Sequence, residues 1–339
     1  MRSAVMGAGS WGTVFSKILA DAGCDVSLWA RSQSLAEEIN SNHTNTQYCQ
    51  GMKIPHSVTS SSEPAEVLAN AEVVVLAIPA QRLRENLALW HQYIPRDAVV
   101  VSLIKGVELG STLRMSEVIA DVTGMSAQQV AVISGPNLAH EIATQQPSAT
   151  TVACSDDIFA RRLQDACTTD YFRPYYTTDV VGVEIAGALK NVIALANGMA
   201  VGLGYGENAQ AALMTRGLAE MTRLGVALGA NPLTFAGLAG VGDLIATCQS
   251  PLSRNRTIGE YLGQGMTIEQ AVEETKTTSE GVKSCEPLLE LAIRYGVEMP
   301  ITEQVVNVVH HGKSPVEVLR AFMSRPARSE TGHEEPEHN

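Results

Sequence analysis

The sequence predicts an α/β chain in two parts: a doubly wound sheet domain over residues 1–182, then an all-α domain over residues 183–325. Three observations predict it. A short apolar strand runs into Gly7-Ala8-Gly9-Ser10-Trp11-Gly12 and a helical pattern; apolar runs at 72–78, 98–103 and 130–133 alternate with other segments; and from Val183 the pattern is almost all helical. A length of 339 residues suits two domains, each large enough for its own core. With 45% hydrophobic and 18% charged residues, most of the chain is expected to be folded.

Ser3-Ala4-Val5-Met6 reads as the first strand and Val14, Ile18 and Leu19 as the buried stripe of the helix that follows. Between them the G-x-G-x-x-G turn lies in the strand-to-helix context its chemistry requires. Glycines let the backbone turn tightly and approach a pyrophosphate, whose charge then sits at a helix N-terminus. This makes the first part Rossmann-like and assigns Gly7, Gly9 and Gly12 to a dinucleotide. The second strand, Asp25 to Ala30, ends in Arg31-Ser32 where an NAD-preferring site places an acid. A guanidinium and a hydroxyl suit a 2′-phosphate, so NADP(H) is favoured, with NAD(H) as a second cofactor; a solvated surface arginine is the plainer alternative.

Residues Ser41 to Ser62 read as a polar loop, and His43 and His56 match no metal spacing. No metal site is expected anywhere in the chain. The runs at 72–78, 98–103 and 130–133 suit strands covered on both faces of a parallel sheet. Ligands of such sheets bind beyond the carboxyl ends of the strands, which brings Lys105 and the Gly135-Pro136-Asn137 turn near a cofactor; a solvated loop lysine and an ordinary turn remain the alternatives. An extended pair at 149–153 and 172–176 closes the sheet part near Gly182.

In the second part, Ile185, Leu189, Ile193 and Ala196 recur at spacings of three and four, a helix expected to end at Gly198. Lys190 and Asn191 sit near its centre. A lysine held against apolar neighbours loses solvation, its pKa falls, and it becomes fit for proton transfer; taken alone, the helix equally allows a lysine that reaches past its flank to water. Ser253-Arg254-Asn255 falls at a helix start, where free N–H groups, a hydroxyl, a guanidinium and an amide suit a phosphate, or else form a plain N-cap. Thr277 and Glu280 have capping-box spacing. Residues 326–339 lack apolar periodicity and read as a disordered tail.

The net charge of −12 argues against nucleic acid or an anionic membrane as partner, so an anionic substrate would need local cations. Six cysteines with no C-x-x-C pair fit free thiols of a reducing cytoplasm. No signal-peptide layout is present, and no apolar run reads as long enough to cross a membrane.

Five segments in order resemble signature segments of the bacterial-type NAD(P)-dependent glycerol-3-phosphate dehydrogenase family: Gly7 to Thr13, Ser102 to Gly106, Ser134-Gly135-Pro136, Glu184 to Asn191, and Gly242-Asp243-Leu244 through Ser253-Arg254-Asn255. The resemblance covers roughly residues 3 to 322. It implies that Ser10, Trp11 and Arg31 bind the dinucleotide, with Ala139 on the nicotinamide side and Glu280 near the far end. It implies Lys105, Gly135 and Asn137 along the substrate, Lys190 as proton donor and acceptor, and Asp243, Ser253, Arg254 and Asn255 completing the pocket, with Lys105 and Arg254 also reaching the cofactor. The family usually has Ser or Thr at Asn137 and an aromatic at Leu138; an amide still donates to a substrate oxygen. The resemblance further implies reduction of dihydroxyacetone phosphate to sn-glycerol 3-phosphate for phospholipid synthesis, a helical domain like that of 6-phosphogluconate dehydrogenase, and a homodimer. A β-hydroxyacid dehydrogenase or ketopantoate reductase is the nearest rival reading. A redox-sensing module that binds the dinucleotide without turnover is the rival of another class.

Overall fold

A computed structural model describes residues 1–275 and 279–323. The expected disordered tail, 326–339, lies outside the described residues, as does Thr277 of the expected capping box. Eight strands form one sheet: β1 (Arg2–Met6), β2 (Asp25–Trp29), β3 (Val58–Ser61), β4 (Val73–Leu76), β5 (Val99–Ser102), β6 (Val130–Ser134), β7 (Ser148–Cys154) and β8 (Phe172–Thr177). Their order is β3-β2-β1-β4-β5-β6-β7-β8, and only the β6–β7 pairing is antiparallel. The order reverses between β1 and β4, so a crevice opens at the carboxyl ends of these two strands. Met6 is level with Trp29 on one side and Leu76 on the other, and Leu76 with Ser102, which aligns the ends of four strands.

The apolar runs behave as their composition requires. Val73 to Leu76, Val99 to Ser102 and Val130 to Ser134 are buried throughout because helices cover both faces. β3 corrects the expected loop. Its Val58-Thr59-Ser60-Ser61 is polar because it forms the sheet's edge, where Ser60 Oγ donates to the Leu28 carbonyl at 2.8 Å and the Asn40 amide spans the Ser60 backbone.

The helical part is built around the helix Val180–Gly202, capped by Asp179, whose Oδ1 accepts from Gly182 N at 2.9 Å. It does not end at Gly198. Gly198 and Gly202, one turn apart, let it lie against helix Arg254–Gly263, and Gly259 and Gly263 answer from the other side. A Cβ on Gly198 would overlap the Arg256 carbonyl, and one on Gly259 the Leu195 carbonyl. These glycines thus permit backbone contact rather than punctuate. Mean hydropathy of 1.4 over 23 residues makes this helix long and apolar enough to cross a membrane, against the reading of the sequence, but 83% of its apolar window is buried within the protein. All six cysteines are buried thiols.

Candidate active site

Lys105 follows the end of β5, and Lys190 lies midway along the central helix. Asp243 opens the helix Asp243–Gln249 and brings them together. Its Oδ2 accepts from Lys105 Nζ at 2.5 Å, and its Oδ1 lies 2.9 Å from Lys190 Nζ. Lys190 also donates to Thr247 Oγ1 at 2.7 Å, and that hydroxyl donates to Asp243 Oδ1 at 3.2 Å. Lys105 donates in addition to the Gly135 carbonyl at 3.0 Å. The ammonium of Lys190 therefore ends in a polar socket, not among apolar neighbours and not in solvent; the residue is 7% exposed.

Two cations share one carboxylate, so the cluster is left with one net positive charge. Burial pushes Lys105 down to about 8, with Asp243 opposing that shift and Lys190 adding to it. Burial alone would raise the Asp243 carboxyl, but Lys105 and then Lys190 hold it below its ordinary value.

Ser253, Arg254 and Asn255 begin helix Arg254–Gly263 as expected. Ser253 Oγ caps it, accepting from Arg256 N at 3.3 Å, and Arg254 is exposed. Asn255 is buried and spans two elements: its Nδ2 donates to Asn191 Oδ1 at 2.9 Å and its Oδ1 accepts from Gly281 N at 3.0 Å. This is the hydrogen bond that fixes Asn191 beside Lys190. Asn137 donates its amide to Thr150 Oγ1 at 3.0 Å.

The dinucleotide side fits its expected ligand. Gly7 sits at φ +132°, and a Cβ on Gly12 would overlap the Gly7 carbonyl, so both must be glycine for the turn to close. Gly9 faces open space and starts helix Ser10–Asp21 with no side-chain cap, leaving first-turn N–H groups for a pyrophosphate. The Trp11 indole N–H is buried with no partner among the described residues. Ser10, Arg31 and Ser32 are exposed, the last two at the end of β2, and Ala139 opens the short helix after β6. Glu280 reaches toward Gly106 and Ala80 at the ends of β5 and β4; burial raises its carboxyl, and Oε2 has no partner among the described residues. Ser279 is the N-cap of Glu280's helix, so Glu280 stands at the first helical position.

A family model described as NAD-dependent glycerol-3-phosphate dehydrogenase N-terminus matches residues 2–160, and one described as the C-terminus of the same enzyme matches residues 179–320. The chain belongs to this family. It is 57% identical over 330 residues to glycerol-3-phosphate dehydrogenase [NAD(P)+] of Streptomyces avermitilis, covering 97% of this chain and 98% of that one. The like-named protein of Streptomyces griseus is 58% identical over the same length. The crystal structure of glycerol-3-phosphate dehydrogenase from Coxiella burnetii superposes with a TM-score of 0.90 at 33% identity, covering 96% of this chain and 99% of that one. Matches over both parts of the chain favour this family over the β-hydroxyacid dehydrogenase and ketopantoate reductase readings.

Some residues that shape the site have no place in the sequence reading. Thr247 is signalled only by its spacing of four from Asp243 on one helix. Asn45, fully buried, holds the glycine turn by donating to the Ala8 carbonyl at 3.0 Å and to Thr13 Oγ1 at 2.9 Å.

Proposed function

We propose that the protein catalyses the reversible NAD(P)H-dependent reduction of dihydroxyacetone phosphate to sn-glycerol 3-phosphate, the step that provides a glycerol backbone for phospholipids. The observation that carries this reading is the shared Asp243 carboxylate: it holds Lys105 and Lys190 together at the carboxyl edge of the sheet, the edge that also carries the dinucleotide turn. The bound nicotinamide supplies or takes the hydride at C2.

The chain's own residues manage charge and one proton. As the carbonyl is reduced, negative charge grows on its oxygen. Lys190 gives that oxygen its proton and Lys105 offsets the charge; in the oxidative direction Lys190 takes the proton back. Asp243 and Thr247 hold the Lys190 ammonium in place. Arg254 with Ser253 and the N-terminus of its helix binds the phosphate, supplying a local cation in a chain of net charge −12. Asn255 and Asn137 contribute to the same pocket, and Gly135 lines it through the carbonyl that holds Lys105. On the cofactor, Gly7, Gly9, Ser10, Trp11 and Gly12 bind the pyrophosphate side, Arg31 and Ser32 read a 2′-phosphate, Ala139 lies by the nicotinamide, and Glu280 with Arg254 lies at the remaining edge. The active form is a cytoplasmic homodimer, and residues 1–182 and 183–325 are its two domains.

Steady-state reduction of dihydroxyacetone phosphate tests the proposal. Lys190→Ala is expected to bind NADPH as before and lose ~10²–10⁴-fold in kcat, the usual loss when a proton-transfer group is removed. Near-normal turnover by that variant overturns the assignment.

A further inference from the structure

The central helix carries a single carboxylate, Glu184, and a single lysine, Lys190. Glu184 is 6% exposed, and its hydrogen bonds among the described residues go to Arg114 and Ser116 rather than to the groups of the candidate active site. It is fully committed elsewhere. Its Oε1 accepts from Ser116 N at 2.8 Å, and its Oε2 accepts from Ser116 Oγ at 2.6 Å and Arg114 Nη1 at 2.5 Å. Arg114 is held in turn by Glu117 at 2.9 Å, and its backbone bridges to Val107, two residues past Lys105.

These contacts close a ring of structure. One side runs from Lys105 through the Val107–Arg114 bridge to Glu184; the other runs up the helix from Glu184 to Lys190; Asp243 joins the two lysines. Six residues of helix place Lys190 ~9 Å along the axis from Glu184 and about 120° around it. Between them Gly187 lets the helix pass close over β6 and the Lys105 stem: a Cβ there would lie 2.7 Å from Ser134 Oγ and 3.5 Å from Lys105 Cγ. An apolar side chain would fill the Glu184 position without the cost of burying a charge, but it would not fix the helix against sliding or turning.

We propose that Glu184 is a positioning residue for the reaction, its clamp on Arg114 and Ser116 setting where Lys190 stands relative to Lys105. The proposal rests on the assignment of those two lysines above. A misplacement of ~1 Å at a reacting group costs ~10²-fold in rate, so a clamp far from the substrate has a measurable effect.

The test compares wild type with Glu184→Gln, which keeps the shape and the Ser116 contacts but loses the charge on Arg114, and with Ser116→Ala, which deletes one hydroxyl. The readouts are kcat, KM for NADPH and the pH profile of kcat/KM. The charged or titratable groups facing the lysine pair are Asp243 and Cys248, and those facing the clamp are Arg114 and Glu117. Glu184→Gln is expected to lower kcat by ~10-fold or more, leave KM for NADPH within ~2-fold and move the alkaline limb of the profile; Ser116→Ala is expected to do the same more weakly. A lower melting temperature with wild-type kcat and pH profile in both variants overturns the proposal. Lys190→Ala separates the two readings: retained turnover there defeats the lysine assignment and this proposal with it. Lost turnover there, with Glu184→Gln like wild type, defeats the positioning role alone.

Discussion

Asp243 gives one carboxylate oxygen to Lys105, at 2.5 Å, and the other to Lys190, at 2.9 Å, and is itself only 2% exposed. The two lysines come from different parts of the chain, one after a strand of the sheet and one from the central helix, so this carboxylate ties those parts together at the candidate active site. Asp243→Asn removes the charge and little else, leaving two ammonium groups buried face to face. Breaking a buried pair in this way costs about 3–5 kcal/mol. The expected result is a clear fall in the urea midpoint at pH 7 together with loss of turnover. Asp243 is what opposes the downward shift of Lys105, so in the variant Lys105 sheds its proton more readily than in the wild type, and the fall should shrink as pH rises and the repulsion ends. An equal loss of stability at pH 7 and pH 9.5 would show that charge is not its cause.

The Lys105 value sets a pH limb for activity. Burial holds it at about 8, below the ordinary 10.5, so Lys105 is charged at neutral pH and neutral by pH 9. In the proposed reaction its positive charge offsets the growing oxyanion, so kcat/KM for reduction should fall with a limb near pH 8, and Lys105→Met should show a low rate without that limb. Stability moves the other way. The unfolded chain binds more protons at this lysine between pH 8 and 10.5, so the lysine's destabilising effect is full below pH 8 and relieved as pH rises through that window. Stopped-flow reduction and urea titration across pH 6.5–10 check the two signs separately.

Arg31 makes a prediction about cofactor choice. It is exposed at the end of β2, while Ser32 Oγ caps the helix Gln33–Asn42 by accepting from Leu35 N at 3.4 Å. Arg31 is therefore the cleaner probe, because changing Ser32 also changes a cap. A hydrogen bond to a charged group is worth about 1.5–3 kcal/mol, so Arg31→Ala should raise KM for NADPH by ~10–100-fold and leave KM for NADH nearly unchanged. Equal effects on both cofactors refute a role in reading the 2′-phosphate.

What the sequence made legible follows from how far each signal reaches along the chain. The glycine turn and the strands at 73–76, 99–102 and 130–134 are local patterns with one physical meaning, and the structure has them where they were expected. β3 was hidden because an edge strand pairs on one side only and has no need of an apolar run. Gly198 misled because a glycine ending a helix and a glycine admitting another backbone look alike until the second helix is in place. In the site, Lys105 was placed by the end of its strand, Lys190 by its apolar helix and Asp243 through resemblance, but the sharing of one carboxylate by both lysines was not readable. Thr247 lies 57 positions from its lysine and Glu184 70 from its arginine, and no local pattern spans such distances.

The glycine contact between the central helix and helix Arg254–Gly263 yields the last prediction. At Gly259 a Cβ would overlap the Leu195 carbonyl, and helix backbone, unlike a side chain tip, has no rotamer by which to yield. Gly259→Ala therefore has to push helix Arg254–Gly263 away from the central helix, and overpacking of this kind costs about 1–3 kcal/mol. The displacement should also be felt at the site. Asn255 starts the displaced helix and bonds Asn191 at 2.9 Å across the same contact, and Arg254 is its neighbour. The variant should thus unfold at lower urea and show a raised KM for dihydroxyacetone phosphate, with KM for NADPH less affected because the glycine turn lies on the other part of the chain. An unchanged urea midpoint would mean that the helices part freely at Gly259, and the close contact would then be no constraint on the phosphate end of the pocket.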